Sequence, residues 1–148
     1  MWTRSADIYE QQKYWHTFPN HSNADLGIYE IFMNNVKNQK LTDAIAPLRI
    51  PSAQGAHVLF CFGIKADFIY IDAGHDYDSV YSDLASFRSI LTEGGVMFGD
   101  DYIRPDLIEA VDDYAVEAGV PVTVDSDRRT WILHFSSPDS STILPWRF

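Results

Sequence analysis

The sequence predicts an α/β fold on a mostly parallel sheet whose last strand runs antiparallel. Three observations carry that prediction. Two short apolar runs, Asp67-Phe-Ile-Tyr-Ile-Asp72 and Val96-Met-Phe-Gly-Asp100, end abruptly in carboxylates. Runs of this kind fit strands buried on both faces. An amphipathic stretch joins them, which makes a βαβ unit with parallel neighbours. Two later apolar runs, Val120–Val124 and Thr130–Phe135, flank the short loop Asp125-Ser-Asp-Arg-Arg129, so they can pair antiparallel.

Each element has its own signal. Leu26, Tyr29, Phe32 and Val36 recur at helical spacing, which predicts a helix from Asp25 to Val36 or Asn38, with Lys37 and Lys40 at its dipole-favoured end. Ala46–Ile50 is a short strand candidate that ends in the turn Pro51-Ser52. Ser52 suits the N-cap of a helix over 53–62, and Gly63 suits its C′ position. Val80, Leu84, Phe87 and Leu91 line one face of a helix over 78–91. Glu93-Gly94-Gly95 then turns into the strand 96–99. Pro105 fits the first position of a helix whose buried face is Ile108, Val111, Tyr114, Ala115 and Ala118, with Gly119 as its cap. Residues 1–24 read as an irregular aromatic loop or lid, with a short helix over 7–14 and with His16 and His21 as candidate ligand contacts. Residues 136–148 read as a tail.

The chain has 148 residues, about one domain's worth, and no internal boundary is visible. With 11 Lys and Arg against 21 Asp and Glu, its net charge is −10. That excludes a nucleic-acid backbone or an anionic membrane as the main partner. A single cysteine, Cys61, permits no disulfide within the chain and reads as a small core residue. The N-terminus carries no apolar signal segment and no run reaches membrane-spanning length, so the expectation is a soluble, cytoplasmic protein.

Residues just past the carboxyl ends of parallel strands face the ligand crevice of an open α/β sheet. Asp72 and His75 would come from one strand end, Asp100 and Asp101 from the next. Three carboxylates are oxygen ligands of the kind that hold Mg²⁺ or a similar divalent cation. A metal there lowers the pKa of a bound hydroxyl. His75 would then take the proton, its ordinary pKa of about 6.5 suiting a base near neutral pH. Asp76, Asp78 and Asp83 read as helix-start and surface charges. His57 and His134 read as ordinary helix and strand residues.

These motifs resemble the class I S-adenosylmethionine-dependent methyltransferases, within them methyltransferase family 24, the sugar O-methyltransferase-like group. The matching pieces are Asp67-Phe-Ile-Tyr-Ile-Asp-Ala-Gly-His75, Gly94-Gly95, Gly99-Asp-Asp-Tyr102 and Ala110-Val-Asp-Asp-Tyr-Ala115. Asn34-Asn-Val-Lys37 and Ile45-Ala-Pro-Leu-Arg-Ile-Pro-Ser-Ala53 match as well. The resemblance implies a Rossmann-like sheet, Mg²⁺ on Asp72, Asp100 and Asp101, and His75 as base. It also implies S-adenosylmethionine near Ser52, Ala53, Asp72 and Ala73. A small-molecule hydroxyl substrate, such as a sugar, follows, and a homo-oligomer is compatible with it.

The resemblance also exposes a departure. The family's Gly-rich turn and the acid that holds the ribose should precede residue 1, so strands 1 and 2 of the family sheet are missing and the domain reads as N-terminally truncated. The strand at 46–50 should then close onto 67–72 or leave that edge open, and the chain alone should hold the cofactor weakly. Two other readings stay open: a non-catalytic binding remnant of the fold, or a metal-dependent hydrolase that needs no cofactor.

Overall fold

A computed structural model describes residues 27–135. The expected helix over 7–14, the aromatic lid with His16 and His21, and the 136–148 tail lie outside the described residues. The chain divides into two compact units, one reaching to Pro51 and one starting at Ser52.

In the first unit, helix α1 spans Ile28–Asn38, with Gly27 at its N-cap and Lys37 in its last turn. Val36 is buried, whereas Ile31 and Phe32 are exposed. The predicted strand Ala46–Ile50 does not form. Pro47 has no N–H to give to a ladder, and Arg49 instead lies over the Tyr29 ring, 5.0 Å from its centroid.

The second unit holds α2 (Ser52–Cys61), β1 (Ala66–Ile71), α3 (Tyr77–Arg88), β2 (Leu91–Gly99), α4 (Pro105–Ala118), β3 (Val122–Val124) and β4 (Trp131–His134). The strand order is β1-β2-β4-β3. β1 and β2 pair parallel, and β2–β4 and β3–β4 pair antiparallel. The sheet is therefore mixed, not mostly parallel as expected. Its parallel part is the single βαβ unit.

Gly94 and Gly95 fall inside β2, not in a turn before it. Gly94 takes φ +76, a conformation that only glycine adopts freely, and its N–H donates to the Phe135 carbonyl at 2.8 Å. The strand thus starts at Leu91, early enough to pair with Ala66.

The core lies on one face of this sheet. Ile69, Ile71, Met97, Trp131 and Leu133 point into it, against Val80 and Leu84 of α3 and Leu107, Ala110, Val111 and Tyr114 of α4. The buried stripe of α4 begins one residue earlier than the spacing predicted. Leu107 and Ala110 face inward, Ile108 is half-buried and Ala118 is exposed. Side-chain bonds also join the two helices. Tyr77 donates to Asp113 at 3.0 Å, and Tyr81 donates to Glu117, which pushes the Tyr81 phenol up to about 12.

β1 is not buried on both faces. Phe68 and Tyr70 alternate with the core residues and are 72% and 52% exposed. Among the described residues β1 pairs only with β2, so its outer edge carries unpaired backbone groups. Cys61 is also exposed, at the last turn of α2, with its Sγ 3.6 Å from His57 Nε2. The apolar run that suggested a core position belongs to a helix that buries only Gly55 and Ala56. Asp83, read as a surface charge, is 8% exposed. No helix among the described residues is long and apolar enough to cross a membrane.

Candidate active site

Because β1 and β2 are parallel, the segments that follow them emerge at one end of the sheet. On the β1 side the chain turns through Asp72-Ala73-Gly74-His75. A Cβ on Gly74 would come 2.7 Å from the Ser79 Cβ, so this turn presses against the first turn of α3 and needs glycine. Asp76 caps that helix, accepting from the Ser79 N–H at 3.0 Å. The hydrogen bonds from Ser79 hold the Asp76 carboxyl below its usual range. His75 thus sits between two fixed points.

The β2 side is fixed from below. A Cβ on Gly99 would lie 2.5 Å from both the Ile71 carbonyl oxygen and the Trp131 ring. Trp131 is fully buried, and its Nε1 donates to the Asp100 carbonyl at 3.2 Å. Asp101 then takes φ +60, a left-handed conformation that Asp tolerates better than most residues. Its N–H donates to Asp100 Oδ1 at 2.7 Å, and its carbonyl accepts from Arg104 N at 3.0 Å. This reversal brings the carboxylate to the β1 side.

His75 Nε2 lies 3.0 Å from Asp101 Oδ2, with both side chains mostly buried. Arg104 Nε approaches the same oxygen at 3.5 Å. Arg129, from the loop between β3 and β4, places Nη2 3.0 Å from Asp101 Oδ1 and Nε 3.6 Å from Asp100 Oδ1. Tyr102 ties the loops together. Its N–H donates to the Arg129 carbonyl at 2.8 Å, and its hydroxyl donates to Asp112 at 2.6 Å. Burial and that carboxylate push the Tyr102 phenol up to about 12. Tyr70, on the exposed sheet face, is also raised, by burial first and then by the charges of Asp72, Asp100 and Asp101.

The structure therefore brings His75, Asp100 and Asp101 together. Asp72 stands exposed at the end of β1, hydrogen-bonded to Tyr70. No group of three or more His, Cys, Asp or Glu among the described residues is gathered to hold a metal. The three carboxylates are of the right chemistry, but both oxygens of Asp101 are already in ion pairs, so the present arrangement does not fit the expected cation.

Of the expected cofactor residues, Asp72 and Ala73 are exposed beside the open edge of β1. Ser52 is the first residue of α2 rather than its N-cap, and its hydroxyl bonds Asp83 of α3. Ala53 lies with His57, Phe60, Ala85, Ser86 and Ser89 along a shallow groove between α2 and α3. That groove includes none of the four strand-end residues. Sequence reasoning missed Arg129. The signal was topological: β4 runs antiparallel to β2 with Trp131 opposite Gly99, so the loop entering β4 must lie at the carboxyl end of β2.

No curated protein sequence matches. Among solved structures, the O-methyltransferase NovP is 20% identical over 49% of this chain and 31% of its own, with a TM-score of 0.43. Apo CalS11, a TDP-rhamnose 3'-O-methyltransferase of calicheamicin biosynthesis, is 15% identical over 74% of this chain and 52% of its own, with a TM-score of 0.55. The likeness to CalS11 shows the fold, and the chain spans 31% to 52% of the length of these two relatives. The methyltransferase family 24 model, described as a methyltransferase domain, matches residues 5–102, which include β1, β2, Asp72, His75, Asp100 and Asp101. The chain belongs to methyltransferase family 24.

Proposed function

We propose that this chain is an S-adenosylmethionine-dependent O-methyltransferase domain that acts on a hydroxyl of a small, sugar-like substrate. The observation that carries this reading is the His75–Asp101 pair at the carboxyl ends of β1 and β2. A histidine whose Nε2–H is held by a carboxylate keeps its lone pair on Nδ1 and is oriented as a base. In this role His75 takes the acceptor hydroxyl proton, and Asp101 stabilises the imidazolium that forms. Arg129 holds the other oxygen of the Asp101 carboxylate, and Arg104 approaches Oδ2 beside His75. When bound, S-adenosylmethionine supplies an electrophilic methyl group on a sulfonium.

Asp72 and Ala73 fit the cofactor's place, being exposed where β1 ends, and the small side chain of Ala73 leaves room for a close approach. Ser52 fits less well, since its hydroxyl is committed to Asp83. Catalysis on this reading comes from positioning and charge stabilisation.

The test is a titration of the ¹⁵N-labelled chain with S-adenosylmethionine, followed by NMR. Amide shifts concentrated at Asp72, Ala73, Gly74 and His75 are expected, even if binding is weak. Shifts absent from these positions at millimolar cofactor would overturn the reading and favour a non-catalytic remnant of the fold.

A further inference from the structure

His75 meets one oxygen of the Asp101 carboxylate, and the other oxygen is held from a different part of the sheet. We propose that Arg129 is a positioning residue for His75. By holding Asp101 Oδ1 it keeps Oδ2 on His75 Nε2, and so fixes the imidazole with its proton on that nitrogen. The proposal rests on the reading of His75 as the base.

The need for a second hold follows from the carboxylate itself. Rotation of an Asp carboxylate about its last bond is soft, so one contact at 3.0 Å does not decide which oxygen faces the ring. Arg104 does not decide it either. Its Nε approaches the oxygen that His75 already takes, at 3.5 Å, and it belongs to the same turn as Asp101, three residues on. Arg129 takes the other oxygen, with Nη2 3.0 Å from Oδ1, and comes from the loop between β3 and β4. Its Nε lies 3.6 Å from Asp100 Oδ1, so the guanidinium plane is set at two points. The loop that carries it is fixed in turn. The Arg129 N–H donates to Asp127 Oδ1 at 2.8 Å, its carbonyl accepts from the Tyr102 N–H at 2.8 Å, and Tyr102 is held to α4 through Asp112. Asp101 at φ +60 and Arg128 at φ +58 flank this bond, and such left-handed conformations persist where surrounding contacts hold them. Which ring nitrogen of a histidine carries the proton is set by the bond the ring makes, so a carboxylate free to turn leaves the tautomer unfixed.

The test reads the imidazole nitrogens of the ¹⁵N-labelled full chain by long-range ¹H–¹⁵N correlation at about pH 8.5, where an ordinary histidine ring is neutral. His75→Gln identifies the His75 signals by their loss. The wild type should hold His75 mainly as the Nε2–H tautomer. In Arg129→Gln the ratio of Nε2–H to Nδ1–H should fall about threefold or more, while Arg129→Lys, which keeps the charge, should recover about half of that loss. The urea unfolding midpoint should move little in either variant, because the Arg129 side chain is half-exposed. An unchanged ratio in Arg129→Gln, or a wild-type ring mainly in the Nδ1–H form, would overturn the proposal. An equal fall in Arg129→Lys with a lowered midpoint would mean that the loop has moved, and would overturn it as well. Neither cofactor nor acceptor is present in this experiment. Methyl transfer by a chain whose His75 tautomer ignores Arg129 would sink the positioning role and leave the base reading standing. A tautomer that follows Arg129 in a chain that transfers no methyl group would sink the base reading and leave the ordering of the ring standing.

Discussion

His75 and Asp101 follow different strands of a single βαβ unit, yet they meet at 3.0 Å because Asp101 takes φ +60. The left-handed residue turns the chain just past β2 and sends the carboxylate across to the β1 side. Asp101→Asn keeps the shape of the side chain and removes the charge that stabilises the imidazolium. It should lower kcat for methyl transfer about tenfold or more, with KM for the acceptor little changed. A rise in KM at constant kcat would instead mean that Asp101 binds substrate.

Gly99 is the structural counterpart of that pair. Any Cβ there would strike the Ile71 carbonyl and the buried Trp131 ring, both at 2.5 Å. Neither is the flexible end of a side chain, so the strands must part or the indole must move. Gly99→Ala should therefore cost about 1–3 kcal/mol of stability by urea unfolding. It should also disturb Asp100, whose carbonyl the Trp131 indole holds at 3.2 Å. A wild-type unfolding midpoint in Gly99→Ala would show that the β1–β2–Trp131 packing is looser than described.

Asp83 gives the fold a pH dependence of known sign. Burial raises its pKa, and the Ser52 hydroxyl bond opposes that only in part. For an acid with a raised folded pKa, the stabilising contribution is fully present below the unfolded pKa. It is lost as pH rises through the folded value. Asp83→Asn has no such titration. The stability of Asp83→Asn relative to wild type should grow as pH rises from about 4 to neutrality. Urea unfolding at both ends of that range checks it, and a difference independent of pH would contradict the assignment.

Most of the sheet and part of the site were legible in the sequence. The helix over Pro105–Ala118 was bounded by Pro105 and Gly119, and the structure ends it at the same residues because both signals are local backbone constraints. His75, Asp100 and Asp101 were legible because strand ends are marked by where apolar runs stop. What was hidden depends on tertiary placement. Cys61 and Asp83 were assigned by residue type, but α2 buries only its small residues and α3 turns Asp83 toward Ser52. Arg129 looked like one charge in a polar loop, and only the insertion of β4 between β2 and β3 brings it to Asp101. The strand expected at 46–50 was apolar enough, but composition cannot supply a partner for its backbone.

The central claim is that His75 is the base for transfer to a hydroxyl. Its most direct test is transfer of a labelled methyl group from S-adenosylmethionine to a panel of small sugar-containing acceptors, by wild type and His75→Ala. The prediction is label on a hydroxyl of at least one acceptor, falling about 10² -fold or more in His75→Ala. Transfer that His75→Ala leaves unchanged, or label on no acceptor in the panel, would contradict it.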